Sequence, residues 1–117
     1  MTEVFRSHRE LARQWSKLSR AEQLANVGSE VGRMVRWRDR DSRLMNGAFE
    51  RALELLDLTL DDPRWRNRLS EVARARELLC AAVLDGGREY GTSLEDLDRY
   101  FLAFAVAARN ARPHGLA

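Results

Sequence analysis

The chain has 117 residues, enough for one compact domain with its own core, and no shift in composition divides it in two. Hydrophobic residues make up 44% and charged residues 32%, with only two prolines, a balance that excludes an intrinsically disordered chain. The formal net charge is only +2, yet every one of the twenty basic residues except Lys17 is arginine, so the surface is rich in planar donor forks that suit carboxylate or phosphate. The single cysteine, Cys80, cannot close an internal disulfide, and no apolar run has the length of a signal peptide or a membrane span. A cytoplasmic location without membrane contact is therefore expected.

Apolar spacing and cap residues predict five helices. Phe5, His8, Leu11, Trp15 and Leu18 recur every three or four residues, the stripe of a helix with one buried face, and predict a helix over about 3 to 18. Ser19 and Glu22 then have capping-box spacing, each side chain meeting a backbone donor left free at a helix start. A second helix follows over about 20 to 38, with Leu24, Val27, Val31, Met34 and Val35 on its buried side. The charged stretch after Trp37 is a hydrophilic break, with Asp41 or Ser42 as the next cap. A third helix over about 42 to 59 aligns Met45, Phe49, Ala52, Leu53 and Leu56, the strongest amphipathic signal in the chain.

Asp62 and Pro63 read as the cap and first residue of a fourth helix over about 63 to 84, since the N–H that proline lacks has no partner at that position. Leu69, Val72, Leu79 and Val83 form its core row, Arg76 intrudes, and Ala75, Ala81 and Ala82 allow a neighbour to approach closely. Gly86, Gly87 and Gly91 predict a loop that uses positive φ angles. Thr92 with Glu95 repeats the capping-box spacing ahead of a fifth helix over about 93 to 110, which buries Leu94, Leu97, Phe101, Phe104, Ala105 and Ala108. No segment alternates as a strand does, so the class is all-α. Short connections favour antiparallel neighbours, and the expected architecture is an up-and-down antiparallel helical bundle of four main helices plus a shorter flanking helix.

The stretches WSKLSRAEQLANVGSEVGRMVRW, AFERALELLDLTLDDP and YFLAFAVAARNAR together resemble a group of small, all-helical bacterial proteins. The resemblance covers nearly the whole chain and implies a single helical domain. It attaches no activity.

Two arginine clusters are candidates for binding nucleic acid. Arg33, Arg36, Arg40 and Arg43 fall along one stripe if the helix is continuous, a track that fits a phosphate backbone. The cap signals break the helix inside that interval, however, and Asp39 and Asp41 compete for the same guanidinium groups, so a solvated face is the simpler reading. Trp37 reads as a core or interface residue rather than a base-stacking platform. Arg64, Arg66 and Arg68 surround Trp65 at the predicted start of the fourth helix, where the macrodipole opposes positive charge. Asp57, Asp61 and Asp62 are the expected compensation. If both clusters shared a face, they would make one basic patch with salt-sensitive binding. The acidic residues Asp85, Glu89, Glu95, Asp96 and Asp98 are then available as a complementary surface for self-association.

The motif RNARPH at 109–114 resembles the arginine, polar residue, short gap and histidine of the HEPN ribonucleases, which are also small helical bundles. The resemblance implies metal-independent RNA cleavage, commonly in a site shared across a dimer. His114 would handle protons, Arg109 would stabilise phosphate charge and Asn110 would assist. Pro113 predicts that the helix stops before His114, and a C-terminal tail is the plainer alternative. No metal site is expected, because neither His8 nor His114 has a glutamate three residues earlier as di-iron bundles require. No cofactor is implied, and Cys80, within ELLCAAVL, reads as a small buried side chain.

Two function classes follow. The first, preferred because of the three tryptophans and the aromatic row of the fifth helix, is a non-enzymatic interaction module that forms a homo-oligomer, such as a dimer, or binds a protein partner. The second is an RNA-directed protein, either a HEPN-like ribonuclease or an arginine-rich binder. Carboxylate and arginine pairs involving Glu50, Glu54, Glu71 or Glu77 with Arg51, Arg74 or Arg76 are expected to orient helices.

Overall fold

The computed structural model describes the backbone of residues 2–111 and the side chains of residues 9–111. The described residues form an all-α fold: α1 (Thr2–Lys17), α2 (Arg20–Trp37), α3 (Ser42–Leu60), α4 (Leu69–Asp85) and α5 (Leu94–Ala111), with a 3-10 segment, Pro63–Arg68, leading into α4. Phe5 and His8 of the predicted first stripe lie outside the residues whose side chains are described.

α2 is the central element and packs along both α3 and α5. The four-residue turn between α2 and α3 makes them antiparallel. α5 also runs antiparallel to α2: Glu95 meets Arg38 at the end of α2, Phe101 meets Gly28 at its middle, and Arg109 lies near Glu22 at its start. α4 returns the chain along α3, to which Arg76 is tied through Asp57 at 2.8 Å. α1 rests on α3, where the Trp15 indole N–H donates to the Thr59 hydroxyl at 2.9 Å.

Each helix start has a local cause. The Ser19 hydroxyl accepts from the Glu22 N–H at 3.0 Å while the Glu22 carboxylate accepts from the Ser19 N–H at 2.8 Å, the reciprocal pair expected from sequence. Of the two caps left open for α3, Asp41 serves, accepting from the N–H groups of Arg43 and Leu44. At α5 the reciprocal pair is displaced by one residue from the predicted Thr92 and Glu95. Ser93 and Asp96 exchange bonds of 2.9 and 3.0 Å, leaving Glu95 free to face Arg38. Gly87, at φ 83°, belongs to the loop before α5, and a Cβ there would sit 2.2 Å from the Thr92 carbonyl oxygen, so the loop closes only around glycine.

The largest departure from expectation concerns the fourth helix. Asp62 caps and Pro63 occupies the first position as predicted, but residues 63–68 wind as a 3-10 segment and the α-helix begins only at Leu69. The tighter turn carries Trp65 inward, 1% exposed, where its indole N–H donates to the Gln23 amide oxygen at 2.7 Å. Leu69, expected in the core row, is the first residue of α4 after this break and is exposed.

The buried apolar residues make one cluster contributed by all five helices and Trp65. Leu24, Val27, Val31, Met34, Ala52, Leu56, Val72, Leu79, Leu97 and Phe101 are buried, while Val35, Phe49, Leu53, Val83 and Phe104 pack half-buried against them. Trp37 joins the same margin, and Cys80 is half-buried rather than buried. No helix among the described residues is long and apolar enough to cross a membrane.

Candidate interaction surface

The two arginine clusters lie at opposite ends of the α2–α3 pair. Trp65 and its flanking arginines sit against Gln23 in the first turn of α2, whereas Arg36 occupies the last turn, Arg40 the turn and Arg43 the start of α3. At the 1.5 Å rise of an α-helix the separation along α2 is roughly 20 Å, so the clusters do not form one basic patch.

Within each cluster the guanidinium groups divide into engaged and free. Arg33 donates to Glu30 at 2.8 Å, and Glu30 also accepts from Arg51 at 3.1 Å, a bridge from α2 to α3. Arg36, Arg40 and Arg43 are exposed, and their guanidinium groups have no hydrogen-bond or ion-pair partner among the described residues. Asp41 is committed to its cap, and Asp39 approaches Arg38 at 4.0 Å, so neither competes for those three. In the second cluster Arg64 grips Asp62 through Nε at 3.1 Å and Nη2 at 2.7 Å, and Arg68 grips Glu71. Compensation therefore comes from Asp62 and Glu71, while Asp57 pairs with Arg76. The Arg20 and Arg68 guanidinium carbons lie 5.9 and 5.5 Å from the Trp65 ring centre, within cation–π range. Arg66 alone in this group has no partner among the described residues.

Gln23 is a polar node that sequence reasoning missed. It is fully buried, and its amide nitrogen donates at 2.8 Å both to the Trp15 carbonyl and to the Asp62 carboxylate, while its oxygen accepts from Trp65. The node ties α1, α2 and the 3-10 segment together, and Thr59 extends it to α3 by accepting from the Trp15 indole. Hydrogen bonds from Arg64, with a further one from Gln23, hold the Asp62 carboxyl far below the usual carboxylate range against the opposing effect of burial. A glutamine one residue before a core leucine carries no sign of burial in a linear reading.

Of the residues assigned by the HEPN resemblance, Arg109 and Asn110 lie exposed in the last turn of α5, and His114 lies outside the described residues. Their mutual geometry is therefore confined to Arg109 and Asn110. No group of three or more His, Cys, Asp or Glu side chains among the described residues is placed to hold a metal ion.

The second half of α5 is the most unusual surface. Residues 100–108, YFLAFAVAA, carry no formal charge. Phe101 fills the core and Phe104, Ala105 and Ala108 are half-buried, but Leu102 is 60% exposed and Val106 45%. Toward α2 this apolar face opens into two adjoining hollows that share Ala25 and Ala105. One, of about 120 Å³, is lined by Gly28, Ser29, Asp98 and Leu102; the other, of about 370 Å³, by Glu22, Asn26, Ala108 and Arg109.

On the opposite side of α5 an apolar groove of about 340 Å³ lies against α4, lined by Ala75, Leu78, Leu97 and Tyr100. Tyr100 donates its hydroxyl to Glu71 at 3.0 Å, and burial together with that carboxylate pushes its pKa up to about 12. The uncharged run in α5 was the sequence signal for an exposed apolar face, visible in composition but masked by the same residues' fit to a core row.

Comparison of the chain with protein-family models, with curated proteins and with solved structures gave no match in any of the three.

Proposed function

We propose that this chain is a non-enzymatic helical interaction module that associates with a second copy of itself. One observation carries the reading: nine consecutive uncharged residues of α5, at 100–108, leave Leu102 and Val106 in solvent at 60% and 45% exposure. A helix apolar on all sides is ordinarily covered on all sides, and a contiguous apolar patch on a small protein marks a place of contact. The aromatic margin of the bundle, with Trp37, Phe49 and Phe104 half-buried, adds area of the kind that helical interfaces use.

Light scattering across a concentration series tests the reading. The parent protein is expected to exceed the 13.5 kDa of one chain, and Leu102→Glu combined with Val106→Glu to return it to that mass with helical circular dichroism intact. A parent chain that stays monomeric at about 100 μM, where even a weak dimer would be populated, overturns it.

A second reading, an arginine-rich RNA binder, is favoured by Arg36, Arg40 and Arg43 around the α2–α3 turn, which are exposed and whose guanidinium groups are unpaired among the described residues. Phosphate contacts of this kind weaken steeply with salt. RNA retained on the parent at low salt, released at high salt and lost when all three arginines become alanine would support it. Absence of retention at low salt removes it.

A further inference from the structure

Resting on the self-association reading, we propose that the two copies meet through α5 against α5 in antiparallel order, with Asp98 of each copy paired to Arg109 of the other. Asp98, Leu102 and Val106 follow one another at steps of four along α5, and Arg109 follows Val106 at a step of three, so all four lie on one side of the helix. That side is apolar in its middle, acidic at its first end and basic at its last.

Neither terminal charge is used among the described residues. Asp98 and Arg109 have no hydrogen-bond or ion-pair partner among the described residues, although their neighbours Glu95, Asp96 and Arg99 are all engaged. An acid and a base at opposite ends of one apolar stripe are self-complementary only when the second stripe runs the other way. A parallel pairing would set Asp98 beside Asp98 and Arg109 beside Arg109.

The hollows along the α2–α5 seam supply the space. Asp98 lines the first and Arg109 the second, and both are lined by Ala25 and Ala105. A two-fold axis passing between residues 103 and 104 brings Asp98 opposite Arg109 of the second copy at both ends. The same register sets Leu102 over Ala105 of the second copy, where the small side chains of Ala25, Gly28, Ser29 and Ala105 leave room for a branched side chain. Val106 then lies beside Leu102 of the other chain. Each copy presents the same patch, so the contact closes on itself and stops at two.

Charge reversal tests the register by sedimentation equilibrium at low ionic strength. Asp98→Arg alone, or Arg109→Asp alone, sets like charges against each other at both ends and is expected to weaken the dimer about tenfold or more. Combining the two substitutions in one chain restores it to within about threefold of the parent, as the order of the pairs is merely reversed. Mixing the two single variants is expected to yield a one-to-one heterodimer stronger than either variant's homodimer, a gain that a folding defect cannot produce. If the parent dimerises and the double glutamate variant at 102 and 106 does not, but charge reversal is neither harmful nor rescued, then the antiparallel register is wrong and the self-association reading stands. A parent that remains monomeric overturns both.

Discussion

At the scale of single residues, the end of the bundle where α1, α2 and the 3-10 segment meet depends on a few buried polar groups. Gln23 satisfies two acceptors, the Trp15 carbonyl and the Asp62 carboxylate, and one donor, the Trp65 indole, with no exposure to water, and no buried side-chain nitrogen or oxygen among the described residues lacks a partner. Leaving one such group unpaired costs about 1–3 kcal/mol, which makes this node more sensitive than its surface location in a sequence plot suggests. Asp62 adds a pH dependence of definite sign. Its folded pKa is depressed, chiefly by hydrogen bonds from Arg64, so it contributes stability above the unfolded carboxylate value of about 3.9 and loses that contribution as pH falls toward the folded value. Asp62→Asn is expected to lower the urea midpoint most at about pH 6 and progressively less toward about pH 2, as the carboxylate of the unfolded parent takes up its proton while that of the folded parent is still ionised. A deficit that does not change across that range contradicts the assignment.

At the scale of elements, the close crossing of α2 and α5 rests on a residue without a side chain. A Cβ on Gly28 would lie 2.6 Å from the Phe101 Cβ, a contact that neither helix can relieve by turning a flexible side chain aside. Gly28→Val is expected to lose about 1–3 kcal/mol by prising α5 from α2, despite the better helix propensity of valine. Gly47 in α3 provides the contrast, because the nearest atom to its added Cβ is the guanidinium tip of Arg51 at 3.4 Å. Gly47→Ala is expected to gain about 0.5–1 kcal/mol, and the pair of midpoints in chemical denaturation reads both effects. The opposite signs of two glycine substitutions on neighbouring helices separate packing from propensity.

At the scale of the whole molecule, α2 is covered on two long sides by α3 and α5, whereas Leu102 and Val106 on α5 are left exposed by the described residues. Full burial of a leucine or valine side chain contributes about 1.5–3 kcal/mol, so a second copy that covers both on each side gains several times the thermal energy. Coupling of that association to folding makes stability depend on concentration. The thermal midpoint is expected to rise as protein concentration increases, and the rise to vanish in the variant carrying glutamate at both 102 and 106. A midpoint independent of concentration in the parent contradicts the coupling.

The sequence by itself determined the all-α class, the caps at Ser19 and Asp62, the choice of Asp41 or Ser42 for α3, and most of the buried row in α2, α3, α4 and α5. These are properties of near neighbours: a cap reaches three residues and a buried stripe repeats every three or four. It also exposed the uncharged run of α5 without saying which of its sides would be covered. Tertiary structure decided the rest, because each remaining outcome turns on groups far apart in the chain. Trp65 winds its segment into a 3-10 turn to reach Gln23, forty-two residues away, and Glu95 pairs with Arg38 across fifty-seven, leaving Ser93 and Asp96 as the cap. Only the course of the helices set the two arginine clusters at opposite ends. The same course left Asp98 and Arg109 at either end of one exposed apolar stripe, since which side of a helix meets a neighbour depends on where that neighbour lies.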